Sequence, residues 1–127
     1  MHIAIQGQAG SFHDQAAQQW YGPDAEIIPC TTFSEVFAAY DDGSADAIIT
    51  AVENTLFGSI NEVYRYIEEC DAPIVGEIKL PVEQMLVGLP GAKISDITEV
   101  YSHPVALSQC RYFLQEHLPQ ATPIEFF

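Results

Sequence analysis

Residues 2–11 read His2-Ile3-Ala4-Ile5-Gln6-Gly7-Gln8-Ala9-Gly10-Ser11, and this stretch decides the fold class. A short run with β-branched residues stops at a glycine-containing turn, and a helical pattern follows at once. Phe12, Ala16 and Trp20 recur at helical spacing, with Ser11 placed to cap the helix start. A strand that passes through a tight turn into a helix opens an α/β domain. The rhythm then repeats. Glu26 to Pro29 forms a second short strand, and Thr32-Phe33-Ser34-Glu35 is a capping box. Phe33, Val36, Phe37 and Tyr40 give the second helix its apolar face, and Asp41-Asp42-Gly43 ends it. Ala45 to Val52 is almost continuously apolar, as a strand covered on both faces would be. Ile60, Val63, Tyr64 and Ile67 mark a third helix. Residues 1–73 therefore read as one α/β lobe with a largely parallel sheet.

Beyond Pro73 the pattern changes. Ile74 to Leu89 is a long extended stretch broken by Pro81, enough to leave the first lobe and enter a second. Gly88 to Asp96 is a loop, Glu99 to Ser102 a short strand, and Pro104 suits the first turn of a helix. Ala106, Leu107, Cys110, Phe113 and Leu114 make that helix's apolar face, and Pro119 to Phe127 begins another extended segment. Residues 74–127 are expected to form a hinge strand and an incomplete second α/β lobe, truncated at its C-terminal side.

Composition narrows the function. The 127 residues carry 4 Lys+Arg against 18 Asp+Glu, a formal charge of −14, which repels phosphate backbones and anionic lipid. Neither a nucleic acid nor a membrane is an expected partner. The three cysteines, Cys30, Cys70 and Cys110, lie far apart and form no disulfide framework, which fits a reducing, cytoplasmic setting. His2, His13, His103 and His117 show no ligand spacing, so no metal site is expected.

Three polar motifs share one position, between the end of a strand and the start of a helix. They are Gly7-Gln8-Ala9-Gly10-Ser11, Glu53-Asn54-Thr55 through Gly58-Ser59, and Ser102-His103-Pro104. Open α/β sheets bind ligands at that rim, where helix N-termini offer unpaired N–H groups to a carboxylate or phosphate. Each motif also has a plain structural explanation. The glycines permit a tight turn, Glu53 and Asn54 satisfy their own loop, Ser102 caps a helix, and Gln109 is an exposed helical residue.

Taken together and in order, the motifs resemble the prephenate dehydratase family. The resemblance rests on Gly7-Gln8-Ala9-Gly10-Ser11-Phe12, Glu53-Asn54-Thr55-x-x-Gly58-Ser59, Gly76-Glu77, and Val100-Tyr101-Ser102-His103-Pro104 leading to Gln109-Cys110. Gln8 and Ala51 stand where the family usually has proline, Thr55 replaces a common serine, and Val105 a frequent glutamine. The resemblance implies two lobes of periplasmic-binding-protein type and conversion of prephenate to phenylpyruvate with loss of water and carbon dioxide. It implies catalytic roles for Asn54 and Gln109, with Gly10, Ser11, Glu53, Thr55, Gly58, Ser59, Ser102, His103 and Pro104 around the substrate. A Thr-Arg-Phe segment and a phenylalanine-binding ACT domain, both usual in the family, are absent from these residues, so the chain by itself is expected to be inactive. No cofactor is implied, and a homo-oligomer, dimer or tetramer, is. Arogenate or cyclohexadienyl dehydratase is the rival enzyme, and a non-catalytic carboxylate-binding module of the same fold is the rival from another class.

Overall fold

The computed structural model describes residues 1–126. Phe127, the end of the expected terminal extended segment, lies outside them. The chain divides into two compact units, Met1–Pro81 and Val82–Phe127, so the division falls within the 74–89 stretch.

In the first unit β1 (His2–Gln6), β2 (Glu26–Cys30) and β3 (Ala47–Ile49) form a parallel sheet in the order β2-β1-β3. Ile3 stands between Ile27 and Ala47, and Ile5 between Pro29 and Ile49. Successive residues of a strand face opposite sides, so β1 feeds two layers. Ile3 and Ile5 pack with Ala17 of α1 (Phe12–Tyr21). Ala4 packs with Val36 and Phe37 of α2 (Phe33–Asp41) and with Val63 of α3 (Asn61–Glu69). Ile3, Ile5, Val36 and Val63 are fully buried. Burial of each such side chain contributes about 1.5–3 kcal/mol relative to leaving it in water. Pro29 sits on β2, at a sheet edge, where its missing N–H breaks no ladder.

Both helix starts take the caps expected of them. The Ser11 hydroxyl accepts the Asp14 N–H at 3.2 Å. The Thr32 hydroxyl accepts the Glu35 N–H at 3.2 Å while the Glu35 carboxylate accepts the Thr32 N–H at 3.4 Å, closing the capping box. The buried faces differ in part. On α1, Phe12 and Trp20 are exposed and Asp14 and Ala17 are buried, because the small Ala17 fits against the two isoleucines of β1. On α3, Tyr66 packs inward, its ring stacked on Phe37 at 5.3 Å, and Tyr64 faces solvent.

The third strand is shorter than Ala45 to Val52. Its ladder with β1 covers only Ala47, Ile48 and Ile49, opposite Ile3 to Ile5, and the chain then leaves the sheet. Residues 53–59, expected as a plain turn, make a small antiparallel hairpin. In it β4 (Glu53–Asn54) pairs with β5 (Gly58–Ser59). The stretch 74–89 carries no paired strand, since no ladder partner meets it among the described residues.

The second unit holds a short 3-10 turn (Ile94–Asp96), β6 (Glu99–Ser102), α4 (Pro104–Gln109), α5 (Arg111–His117) and β7 (Thr122–Glu125). β6 and β7 run parallel, Glu99 beside Thr122 and Ser102 beside Glu125. The single helix expected after Pro104 is two helices broken at Cys110, whose ψ of 3° departs from the helical value. Past the break, Leu114 and Leu118 are buried.

Candidate functional site

In the order β2-β1-β3 the chain turns from one side of β1 to the other, so the topological switch lies between β1 and β3. Ligands of open α/β sheets bind outside the carboxyl ends of the strands at such a point. Two segments flank it here, the expected turn Gly7–Ser11 after β1 and, after β3, Thr50–Asn54, which leads into the expected motif that begins at Glu53.

The first segment is a turn closed by the Ser11 N–H on the Gln8 carbonyl at 3.0 Å. Gly7 and Gly10 have φ of 106° and 86°, a region that side chains disfavour, and a Cβ on Gly7 would press on Ser11. Asp14 holds this turn from inside. Its carboxylate accepts the Gly10 N–H at 2.6 Å and the Gln18 amide at 3.0 Å, which compensates an acid only 3% exposed.

His13 holds the second segment. Its Nε2 accepts the Ala51 N–H at 3.1 Å, its ring also hydrogen-bonds the Gln6 backbone, and the ring meets Phe33 edge-on at 6.1 Å. Burial holds this imidazole below its usual titration range, against the opposing effect of the Gln6 bond, so the ring is neutral at pH 7. The Thr50 hydroxyl, beside this junction, is buried without a protein hydrogen-bond partner.

Asn54 ends β4, and its Oδ1 accepts the N–H groups of Leu56 at 2.9 Å and Phe57 at 3.4 Å. Glu53, Thr55, Gly58 and Ser59 are exposed on the same hairpin. Ser59 does not start a helix, correcting that expectation. Its partner is Glu53 in the hairpin, the next N–H, from Ile60, goes to the Val52 carbonyl at 2.9 Å, and α3 begins at Asn61 with no side-chain cap.

In the second unit the N-cap of α4 is His103, not Ser102. The imidazole Nδ1 accepts the Val105 N–H at 3.3 Å, Pro104 follows as the first helical residue, and Ser102 stays in β6 with its carbonyl accepting the Phe126 N–H at 3.0 Å. Gln109 closes α4, and its Oε1 accepts an amide N–H of Gln84 at 3.1 Å.

Gly10, Ser11, Glu53, Asn54, Thr55, Gly58 and Ser59 thus lie in the first unit, and Ser102, His103, Pro104 and Gln109 in the second. His13, Asp14 and Gln84 are the neighbours that residue type alone did not single out. An open depression of about 740 Å³ lies nearby, between Gly7–Ala9 and Pro29–Thr31. It sits on the β2 side of β1, away from the switch, and none of the expected site residues lines it. Burial and the Glu35 charge raise the thiol of Cys30, which lines it, above the ordinary range and so favour its protonated form. Among the described residues no three His, Cys, Asp or Glu side chains gather as metal ligands would.

A parallel α/β frame with polar turns at its switch point defines a ligand-binding or catalytic domain of the open-sheet class. The prephenate dehydratase family model matches residues 3–127, and the chain belongs to that family. It is 39% identical over 127 residues to arogenate dehydratase 5, chloroplastic, of Arabidopsis thaliana, covering all of this chain and 29% of that protein. It is 37% identical over 114 residues to a bifunctional N-acyl-homoserine lactone acylase/prephenate dehydratase of Komagataeibacter europaeus, covering 90% of this chain and 40% of that one. The structure of prephenate dehydratase from Arthrobacter aurescens in complex with L-Phe superposes with a TM-score of 0.88 at 30% identity. That match covers 99% of this chain and 42% of the other. The chain spans less than half the length of these relatives.

Proposed function

We propose that these residues belong to a dehydratase that converts prephenate to phenylpyruvate. The observation that supports this most is the family match along the whole chain, with Asn54 and Gln109 in the motifs the resemblance singles out. In the reaction the ring carboxylate leaves as carbon dioxide, its bonding electrons enter the ring, and the ring hydroxyl departs, taking up a proton to become water. Aromatisation drives the step, so the protein has chiefly to orient a dianion and ease departure of the hydroxyl. In this reading Asn54 and Gln109 donate N–H groups to the substrate, and Gly10, Ser11, Glu53, Thr55, Gly58, Ser59, Ser102, His103 and Pro104 shape its surroundings. Backbone and side-chain amides suit the task in a chain with only 4 Lys+Arg.

Arogenate is the second substrate to consider, because arogenate dehydratases of Arabidopsis thaliana and Petunia hybrida are 39% and 41% identical to this chain. The complete protein, given each compound in turn, tests the choice. Phenylpyruvate from prephenate supports the first reading and phenylalanine from arogenate the second, and turnover of neither overturns both. A cytoplasmic setting rests on the three free cysteines. No helix among the described residues is long and apolar enough to cross a membrane. Assembly into a dimer or tetramer is part of the same proposal, supported by apolar side chains such as Met85, Val87 and Leu89 left more than three-quarters exposed.

A further inference from the structure

Asn54 and Gln109 are side-chain amides, each with one accepting end and one donating end. In both, the accepting end is used within its own unit. Asn54 Oδ1 takes the N–H groups of Leu56 and Phe57, a local turn that any asparagine could make. Gln109 Oε1 takes its hydrogen bond from Gln84, 25 residues earlier, on the stretch without strand or helix. The NH2 end of each has no protein partner among the described residues.

We propose that Gln84 is a positioning residue that turns the Gln109 amide so that its NH2 end meets an acceptor, a carboxylate oxygen of the substrate. The inference rests on the dehydratase reading above and deepens it. In this arrangement Gln84 donates and Gln109 accepts, which leaves the NH2 end of Gln109 facing away from the pair. A purely accepting residue at position 84 would reverse Gln109 and present its oxygen to the anion. Asn54, held by its own turn, already offers the same kind of group.

The test uses the complete protein with prephenate and arogenate. Gln84→Met, which cannot hydrogen-bond, is expected to raise KM about fivefold with kcat within about twofold, the scale of one exposed hydrogen bond. Gln84→Glu, which only accepts, is expected to raise KM about twentyfold or more. In a Gln109→Leu background both effects should shrink below about twofold, which separates pairing from a general charge effect. Equal effects in the two backgrounds, or none in the first, overturn the proposal. In the ligand-free protein Gln84→Met should also move the side-chain NH2 resonances of Gln109, and unmoved resonances overturn the pairing. Failure of the wild type to turn over either compound counts against the dehydratase reading instead, and the resonances still decide the pairing.

Discussion

The imidazole of His13, on α1, accepts the backbone N–H of Ala51, just past β3, at 3.1 Å. One helical side chain thereby fastens the segment that leads into Asn54 to the helix that follows the glycine turn. Only a neutral ring can do this, because protonation of Nε2 removes the acceptor.

Acid should loosen this junction. The folded ring titrates below its ordinary value of 6.5. Above that value both folded and unfolded forms are neutral, and the contribution of His13 is complete. As pH falls below it, the unfolded chain binds a proton that the folded one resists, and stability is lost until the lowered folded value is reached. We expect wild-type stability to fall more between pH 7.5 and pH 5 (about the range that spans an imidazole's titration) than that of His13→Gln. Urea unfolding of both proteins at the two pH values measures the difference, and parallel behaviour would remove His13 from this role.

Asp14 makes the matching prediction for the glycine turn. Its carboxylate accepts the Gly10 N–H and the Gln18 amide from a buried position. Asp14→Ala strands both donors and is expected to cost about 2–3 kcal/mol, whereas Asp14→Asn keeps an acceptor for Gly10 and should cost about half as much. Denaturant midpoints compare the two, and equal losses would mean that the Gly10 bond, which asparagine can keep, contributes little.

At Asn54 two substitutions separate turn from chemistry. Asn54→Asp keeps an oxygen for the Leu56 and Phe57 N–H groups but loses the donating end and adds a negative charge. It should fold with wild-type stability and lower prephenate turnover at least about a hundredfold, since a donor becomes a like charge facing a dianion. Asn54→Ala should lose both the turn and at least about tenfold in turnover. An Asn54→Asp enzyme within about threefold of wild type would take Asn54 out of the site.

Gly76 lies against the outer edge of the Trp20 indole, and a Cβ there would run into its six-membered ring. Because Trp20 is the single tryptophan and is 43% exposed, the ring can swing outward at modest expense. Gly76→Ala is expected to cost about 1–2 kcal/mol and to shift the intrinsic fluorescence toward that of a solvated indole. An unchanged spectrum at unchanged stability would show that the stretch beyond Pro73 does not rest on α1.

What the sequence disclosed follows from how local each signal is. The Ser11 cap and the Thr32–Glu35 box are written within a few residues, and both stand in the structure. Asp14 was hidden because an acid at a helix start reads as surface until its partners are known. His13 was hidden for a similar reason, since its partner lies 38 residues away. The hairpin of residues 53–59 has strands too short for any alternation to register. A continuous apolar helical face over Ala106 to Leu114 concealed the break at Cys110, which shows only in backbone angles. Strand-like composition in 74–89 could not supply the neighbour a strand needs. For the site, the family resemblance singled out Asn54 and Gln109, while the hydrogen bonds of His13, Asp14 and Gln84 needed coordinates.

The unequal sizes along β1 have a consequence for how such a domain can change. Ile3 and Ile5 fill one layer and the smaller Ala4 admits the helices of the other. A slip by a single position would force a bulky residue where a methyl fits and leave a hole opposite. The scaffold is therefore keyed by volume at its centre, and descendants are free to swap polar groups around the mouth without relocating it.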